Sequence, residues 1–386
     1  MPIRPAPATD AGAALTACEF FAGGGLAGLG LHLSGAGFRT VLANDIDAAK
    51  ARAFRANHPD TPLIHDDIWT VTPDQVPGAP DLCWASSPCQ DVSLAGARGG
   101  LKAQRSGAFW GFWKLMQGLD AEGRAPRLIV LENVVGLLTS GEGQDFAAVC
   151  GAMVEAGYTV GALELDAELW LPQSRPRLFI IAMRGIEGPR LKGPALPFHS
   201  PRLTAAWARL PAPLKANWAW WRLDTPPRRN LDLAAVLEPD VPCFDDAEAQ
   251  TLLAMLSPLH RARLEAIQAS GERRVGAAFR RVRTKDGQKL QRLELRFDGL
   301  AGCLRTPSGG SSRQYVVIVE DGQVALRRLT GREAARLMGV DEAYRLPASE
   351  SAALKLMGDA VSVPVVAALT RGLFLPALTD SAEAAA

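Results

Sequence analysis

Between Ala14 and Met183, short apolar runs alternate with amphipathic stretches, and this alternation restricts the possible folds more than any other feature. The runs are "ALTACEFF" (14–21), "FRTVLAND" (38–45), "TPLIH" (61–65), "PDLCWA" (80–85), "RLIVLE" (127–132), "YTVGALEL" (158–165) and "RLFIIAM" (177–183). Between them lie "AAKARAFRANH" (48–58) and "GAFWGFWKLMQGLDAEG" (107–123), which have helical spacing. Strands apolar along their whole length are covered on both faces, so the pattern predicts an α/β domain built on a mostly parallel sheet.

The pattern breaks near Gly185. From there to about Ala325 the chain is rich in Pro, Trp and Arg, as in "ANWAWWRLDTPPRRN" (216–230), which predicts a smaller domain over residues 186–325. Trp218, Trp220 and Trp221 are expected in that domain's core. Helix-like spacing returns in 327–340 and 350–374, so 326–386 is expected to complete the domain begun by 1–185. The start, "MPIRPAPATDAGAA", lacks the apolar stretch of a secretory signal, and both it and the tail from Thr379 are expected to be unstructured. No uninterrupted apolar run approaches ~20 residues, so no membrane span is expected. The six cysteines have neither Cys-x-x-Cys nor Cys/His spacing, which points to a reducing cytoplasm and to no metal site. Net charge is only +1, but residues 261–296 hold eleven Lys/Arg against four Asp/Glu. Such a stretch predicts one surface that faces a polyanion.

Chemistry-bearing residues gather at the strand ends. "FFAGGGLAGLG" (20–30) follows the first run, and Gly23, Gly25 and Gly28 fit the G-x-G-x-x-G spacing that lets backbone approach a ligand. The second run ends in Asn44-Asp45, where an acid can accept from ribose hydroxyls, and "HDDIW" (65–69) ends the third. Glycines, acid and acid in a row predict a nucleoside-bearing cofactor. "ASSPCQ" puts Cys89 just beyond the fourth run, and Glu132 closes the fifth. In "LPQSRPRLFI", Gln173, Arg175 and Arg177 alternate, so an extended chain would turn all three to one face. A thiol, a carboxyl and two guanidinium groups are thus expected near the cofactor.

"FAGGG", "SSPCQD", "ENV", "PQSRPR", "LTGREAARLMG" and "MGDAVSVPV", in this order, resemble the successive motifs of the bacterial and phage DNA cytosine carbon-5 methyltransferases. The resemblance spans 14 to about 375, except for about 186–300, where that family keeps its variable target-recognition domain. It implies a Rossmann-like S-adenosylmethionine-dependent methyltransferase sheet with a smaller inserted target-recognition domain. Carbon 5 of cytosine is a poor nucleophile, and the resemblance implies that a Cys89 thiolate adds to carbon 6 to activate it. Glu132 would hold or protonate ring nitrogen 3, and Arg177, aided by Arg175, would fix the ring carbonyl. No residue is assigned as the base that removes the carbon-5 proton.

For S-adenosylmethionine, the resemblance implies Phe21 beside the adenine, Gly23 and Gly25 at the methionine part, and Asp45 at the ribose. Asp67 would meet the adenine amino group with Ile68 beside it, and Ile46, Pro88, Asp359 and Val361 complete the site. The target base must leave the DNA stack. A mobile loop over 90–109, with Gln90, Ser93, Arg98 and Arg105, is expected to close over the duplex. Gln173, Arg305 and Arg313, the last two in "LRTPSGGSSRQ" (304–314), are the other expected DNA contacts. Leu26 and Asp359 depart from the family's usual glycine and asparagine. The expected protein is a cytoplasmic monomer acting on double-stranded DNA, with room for a partner restriction endonuclease. Methylation of cytosine in RNA is the alternative reading. An inactive DNA-binding scaffold is disfavoured by the presence of Cys89, Glu132 and Arg177.

Overall fold

The computed structural model describes residues 14–88, 107–285, 288–306 and 313–383. All seven expected strands form: β1 (Thr16–Phe20), β2 (Arg39–Asn44), β3 (Leu63–Ile64), β4 (Leu82–Ala85), β5 (Leu128–Val134), β6 (Thr159–Asp166) and β7 (Pro176–Met183). They make one sheet in the order β3-β2-β1-β4-β5-β7-β6. The pairs from β3 to β5 are parallel, and β7 runs antiparallel to β5. The order reverses at β1, which has β2 on one side and β4 on the other. Open α/β sheets bind ligands at such a switch point, beyond the carboxyl ends of the strands.

Helices α1 (Leu26–Leu33), α2 (Ala48–Asn57), α3 (Ala108–Ala121) and α4 (Gln144–Glu155) connect these strands. The "AFWGFW" run of α3 buries Phe109, Trp110, Phe112 and Trp113 against β1 and β5 residues, with Phe112 and Phe20 ring centroids 5.3 Å apart. Further along lie the two-residue strands β8 (Arg190–Leu191) and β9 (Trp220–Trp221), with α5 (Pro201–Ala208) and α6 (Ala212–Ala216) between them. A second sheet follows, preceded by α7 (Asp246–Leu253) and α8 (Pro258–Ala269). Its strands are β10 (Arg274–Lys285), β11 (Gln288–Arg296), β12 (Gln314–Glu320) and β13 (Gln323–Arg328), antiparallel in the order β11-β10-β12-β13. Leu252, Leu256 and Leu264 pack with Leu293, Val317 and Leu326 to make its core. The chain ends in α9 (Gly331–Leu337), α10 (Glu350–Asp359), α11 (Val363–Leu369) and α12 (Leu375–Glu383).

The chain divides into two compact units. The sheet unit takes residues up to Leu165, Pro176–Pro226 and those from Val361 onward; the second takes Asp166–Arg175 and Pro227–Ala360. These limits differ from breaks at 185 and 326, for reasons visible in the backbone. Residues 217–221 continue the sheet unit: Val160 N–H donates to Asn217 O, Ala219 N–H to Val160 O, and Trp221 Nε1 to Ile181 O. The tryptophans are therefore core residues of the sheet unit and not of the smaller one. Residues 326–360 stay with the second sheet, where a buried Arg327–Glu333 ion pair (2.6 Å) ties β13 to α9.

One other expectation is corrected. The tail is helical through Glu383, as part of α12. Residues Glu350–Thr379 make a helical run long and apolar enough to cross a membrane by length and composition, and 72% of its most apolar stretch is buried within the protein. Its apolar surface covers neighbours instead: Gly30 of α1 lies so close to Val366 that an added Cβ would come within 2.5 Å of it.

Candidate active site

The turn after β1 is shaped by backbone that most side chains cannot adopt. Phe21, Gly23 and Gly25 have φ values of 57°, 58° and 80°. Such a cluster of left-handed residues, one of them not glycine, is the kind of strain found at binding sites. Gly25 begins α1, and a Cβ there would meet His58 Nε2 at 2.4 Å, whereas one on Gly23 would meet nothing within 4 Å. The turn is braced from three sides. Asp45 accepts from Gly23 N–H (2.8 Å) and from Asp47 N–H (2.8 Å). Glu19 accepts from Ala27 and Gly28 N–H at the start of α1 (3.1 and 2.9 Å), and His58 Nε2 donates to Gly24 O (3.2 Å). Burial pushes the Glu19 carboxyl up to about 8, against the opposing pull of its two amide donors. Burial also holds the His58 imidazole below its ordinary range.

Asn44 closes the next strand end, donating to Ile64 O and Asp66 O. Beside it Ile46 is 64% exposed, an apolar side chain at a strand end with no packing role. Asp67 caps a short 3-10 turn over Ile68–Thr70 by accepting from Trp69 N–H (3.1 Å), and Ile68 is buried against α3.

The segment leaving β4 is held just as firmly. Ser86 N–H donates to Phe20 O, and its hydroxyl accepts from Trp84 Nε1 (2.9 Å). Asn133 donates from its amide to both Ser87 O and Ser87 Oγ (3.2 Å each). Pro88 is exposed. Cys89, Gln90, Ser93, Arg98 and Arg105 lie outside the described residues, as does nearly all of the 90–109 loop.

Next to Asn133, Glu132 is buried and pairs with Arg177 across the antiparallel β5–β7 strands, Arg177 Nε lying 3.1 Å from Glu132 Oε1. The alternation of Gln173, Arg175 and Arg177 does not survive, because β7 starts only at Pro176. Gln173 is fully buried: it donates to Leu337 O (2.6 Å) and accepts from Leu304 N–H (3.1 Å). A contact from it to DNA is therefore closed off. Arg175, 2% exposed, donates to Leu304 O (2.9 Å), Gly358 O (3.0 Å) and Ala360 O (2.6 Å), so its guanidinium is spent on backbone and not on a substrate ring.

In the second unit, Asp359 accepts from Thr306 Oγ1 (2.5 Å), and Arg313 donates to Ser351 Oγ. Val361 is buried in the sheet unit. The basic stretch forms α8 and the β10–β11 pair. A pocket of about 340 Å³ opens there, lined by Phe279, Arg280, Arg281, Arg283, Cys303 and Arg305. Three residues of the site went unassigned from sequence. Asn133 was visible only as part of "ENV"; Glu19 and His58 had one signal between them, an acid inside an otherwise apolar strand.

A model of the C-5 cytosine-specific DNA methylase family matches residues 15–211 and 266–374. The chain is 30% identical over 171 residues to the Type II methyltransferase M.Eco47II of Escherichia coli, a match covering 44% of this chain and 39% of that protein. It is 25% identical over 359 residues to M.NgoBI of Neisseria gonorrhoeae, covering 92% and 93%. Among solved structures, a mutant of the Spodoptera frugiperda DNMT2 superposes with a TM-score of 0.60 at 17% identity, over 93% of this chain and 99% of that one.

Proposed function

Because the chain belongs to the C-5 cytosine-specific DNA methylase family, we propose that it transfers a methyl group from S-adenosylmethionine to carbon 5 of cytosine within a specific sequence of double-stranded DNA. The observation that carries this reading is the Glu132–Arg177 pair. It stands at the strand ends of the same sheet whose switch point holds the strained glycine turn and the braced segment leading to Cys89.

The cofactor-side residues fit S-adenosylmethionine. Gly23 leaves open space where a side chain would stand, and Ile46 offers an uncovered apolar face to a planar base. Phe21, Gly25, Asp45, Asp67, Ile68 and Pro88 lie at or just beyond the strand ends of the same unit, with Val361 of that unit proposed to join them. When bound, S-adenosylmethionine supplies an electrophilic methyl group.

The chain's own work is on the base. Cys89 attacks carbon 6 as a thiolate; the electron pair of the 5,6 double bond then sits at carbon 5 and is delocalised toward the ring carbonyl and nitrogen 3. Glu132, as the carboxylic acid, donates its proton to nitrogen 3, neutralising the negative charge that would otherwise build up there, and recovers it on elimination. Arg177 orients that carboxyl through a charge-assisted hydrogen bond and reaches toward the ring carbonyl. After methylation a base takes the carbon-5 proton, and the electron pair expels Cys89 and restores the double bond. Asn133 fixes Ser87 two residues before the nucleophile and so sets where the thiol is delivered.

The basic β10–β11 face and Arg305 are proposed to hold the DNA, with residues 227–360 as the main recognition unit. The test is methylation-sensitive sequencing of DNA from cells expressing the chain, beside Cys89→Ala, with nucleoside mass spectrometry of the RNA from the same cells. New 5-methylcytosine at a defined DNA sequence, lost in the variant, is the expected result. Label in RNA alone would move the substrate to RNA, and none in either would overturn the activity. Trapping of Cys89 on 5-fluorocytosine DNA tests the covalent step, since fluorine at carbon 5 cannot leave as a proton does.

A further inference from the structure

Residues Gly302–Thr306 form no helix or strand, yet four side chains from three separate stretches of the second unit grip them. Gln314, itself buried, uses its whole amide on Gly302: Gly302 N–H donates to its oxygen (2.8 Å) and its nitrogen donates to Gly302 O (2.7 Å). Gln173 accepts from Leu304 N–H, and Arg175 donates to Leu304 O. Asp359 accepts from Thr306 Oγ1. The even-numbered residues are therefore clamped, and the two between them, Cys303 and Arg305, line the arginine pocket with Phe279, Arg281 and Arg283. Gly302 and Gln314 line the same pocket, and Arg175 Nη1 also lies 3.8 Å from Cys303 Sγ, so the clamps hold the pocket wall directly.

Arg175 carries the most. One guanidinium group holds Leu304 O with one nitrogen and Gly358 O and Ala360 O with the other, joining the pocket wall to the turn around Asp359. A planar fork with donors on two sides can span three carbonyls, which a lysine ammonium on its flexible stem does less well.

We propose that Arg175 and Gln173 are positioning residues that act through Arg305. By locking Gly302–Thr306 they present Arg305 at a fixed place in the pocket as an affinity-determining contact to DNA phosphate. The inference rests on DNA as the substrate.

The test uses the full chain and a fluorescent duplex carrying the sequence it methylates, with anisotropy and single-turnover methyl transfer as readouts. Arg305→Ala is expected to raise the dissociation constant about tenfold and to lower the salt slope by about one. Arg175→Lys should do the same, and the double variant should bind no more weakly than the weaker single, because both changes remove one contact. Thr306→Val guards against a misfolded Arg175 variant: it removes one clamp without stranding a buried charge. It should weaken binding about threefold, and Thr306→Ser should restore it. Additive losses in the double variant, or Thr306→Ser as weak as Thr306→Val, would overturn the proposal. So would a large fall in single-turnover rate at saturating duplex for Arg175→Lys with affinity intact, which would return Arg175 to the reacting base. Wild type that methylates no DNA would overturn the function itself; wild type that methylates while these variants bind normally would overturn only the positioning role.

Discussion

Glu132 and Arg177 show how much two adjacent strands can do for one carboxyl. Glu132 lies in β5 and its partner in β7, so pairing the strands brings the two side chains together before any ligand arrives. Glu132→Gln keeps the size but removes the acid proton proposed to neutralise nitrogen 3. A fall of ~10²–10³-fold in single-turnover methyl transfer is expected. Glu19 makes a different prediction. Its folded pKa of about 8 lies above its value of 4.5 in the open chain. Between those values the folded protein holds a proton that the unfolded chain has released, so stability falls as pH rises through the window, by about 1.4 kcal/mol per unit. His58 and His199, held low by burial, pull the other way, an effect that fades as pH rises past their ordinary value of 6.5. Urea unfolding between pH 7 and 8 therefore reads mainly Glu19. Glu19→Gln should flatten the slope there; an unchanged slope would remove Glu19 as its source.

At the scale of elements, the strands were legible because each is a continuous apolar run, and Glu132 because an acid closing such a run is conspicuous. The start of β7 was legible to within one residue of the run at 177–183; what sequence could not supply was the course of the chain just before it. Placing Gln173 and Arg175 on an extended strand with Arg177 put all three on one face, whereas Pro176 starts the strand and the two preceding side chains serve the second unit's backbone. The tryptophans were legible as core, but a two-residue strand such as β9 leaves no periodicity to say whose core. The β1–α1 turn was readable as glycine-rich, while its braces, Glu19 and His58, come from a strand interior and a helix end. Gly25→Ala tests that turn: strained at φ 80° and blocked by His58, it should cost about 2–4 kcal/mol in unfolding experiments and weaken cofactor binding together with it. Asn133→Ala frees Ser87, and its expected effect is a slower approach of Cys89 to trapping on 5-fluorocytosine DNA, by about tenfold.

Over the whole molecule, the basic stretch is less positive than its composition suggests. Glu294 on β11 is shared by Arg281, 3.3 Å away, and Arg283, so two of the pocket's arginines are already engaged. Glu294→Gln should release both and tighten DNA binding about threefold at moderate salt, an effect that disappears at high salt. Anisotropy titrations at two salt concentrations would check it, and weaker binding in the variant would show that Glu294 orders the arginines for DNA instead.

The sheet unit is assembled from three separate stretches of chain, and its last stretch, from Val361 onward, lays α11 against Gly30 of α1. Translation makes α1 long before the stretch that covers it. Until residues 361–383 are made, the helix that begins at the glycine turn lacks its α11 neighbour, and the proposed cofactor turn lacks that support. A truncation after Ala360 should behave like the nascent chain, protease-sensitive and unable to bind the cofactor, and adding residues 361–386 back as a peptide should restore protection if order of arrival is all that was lost.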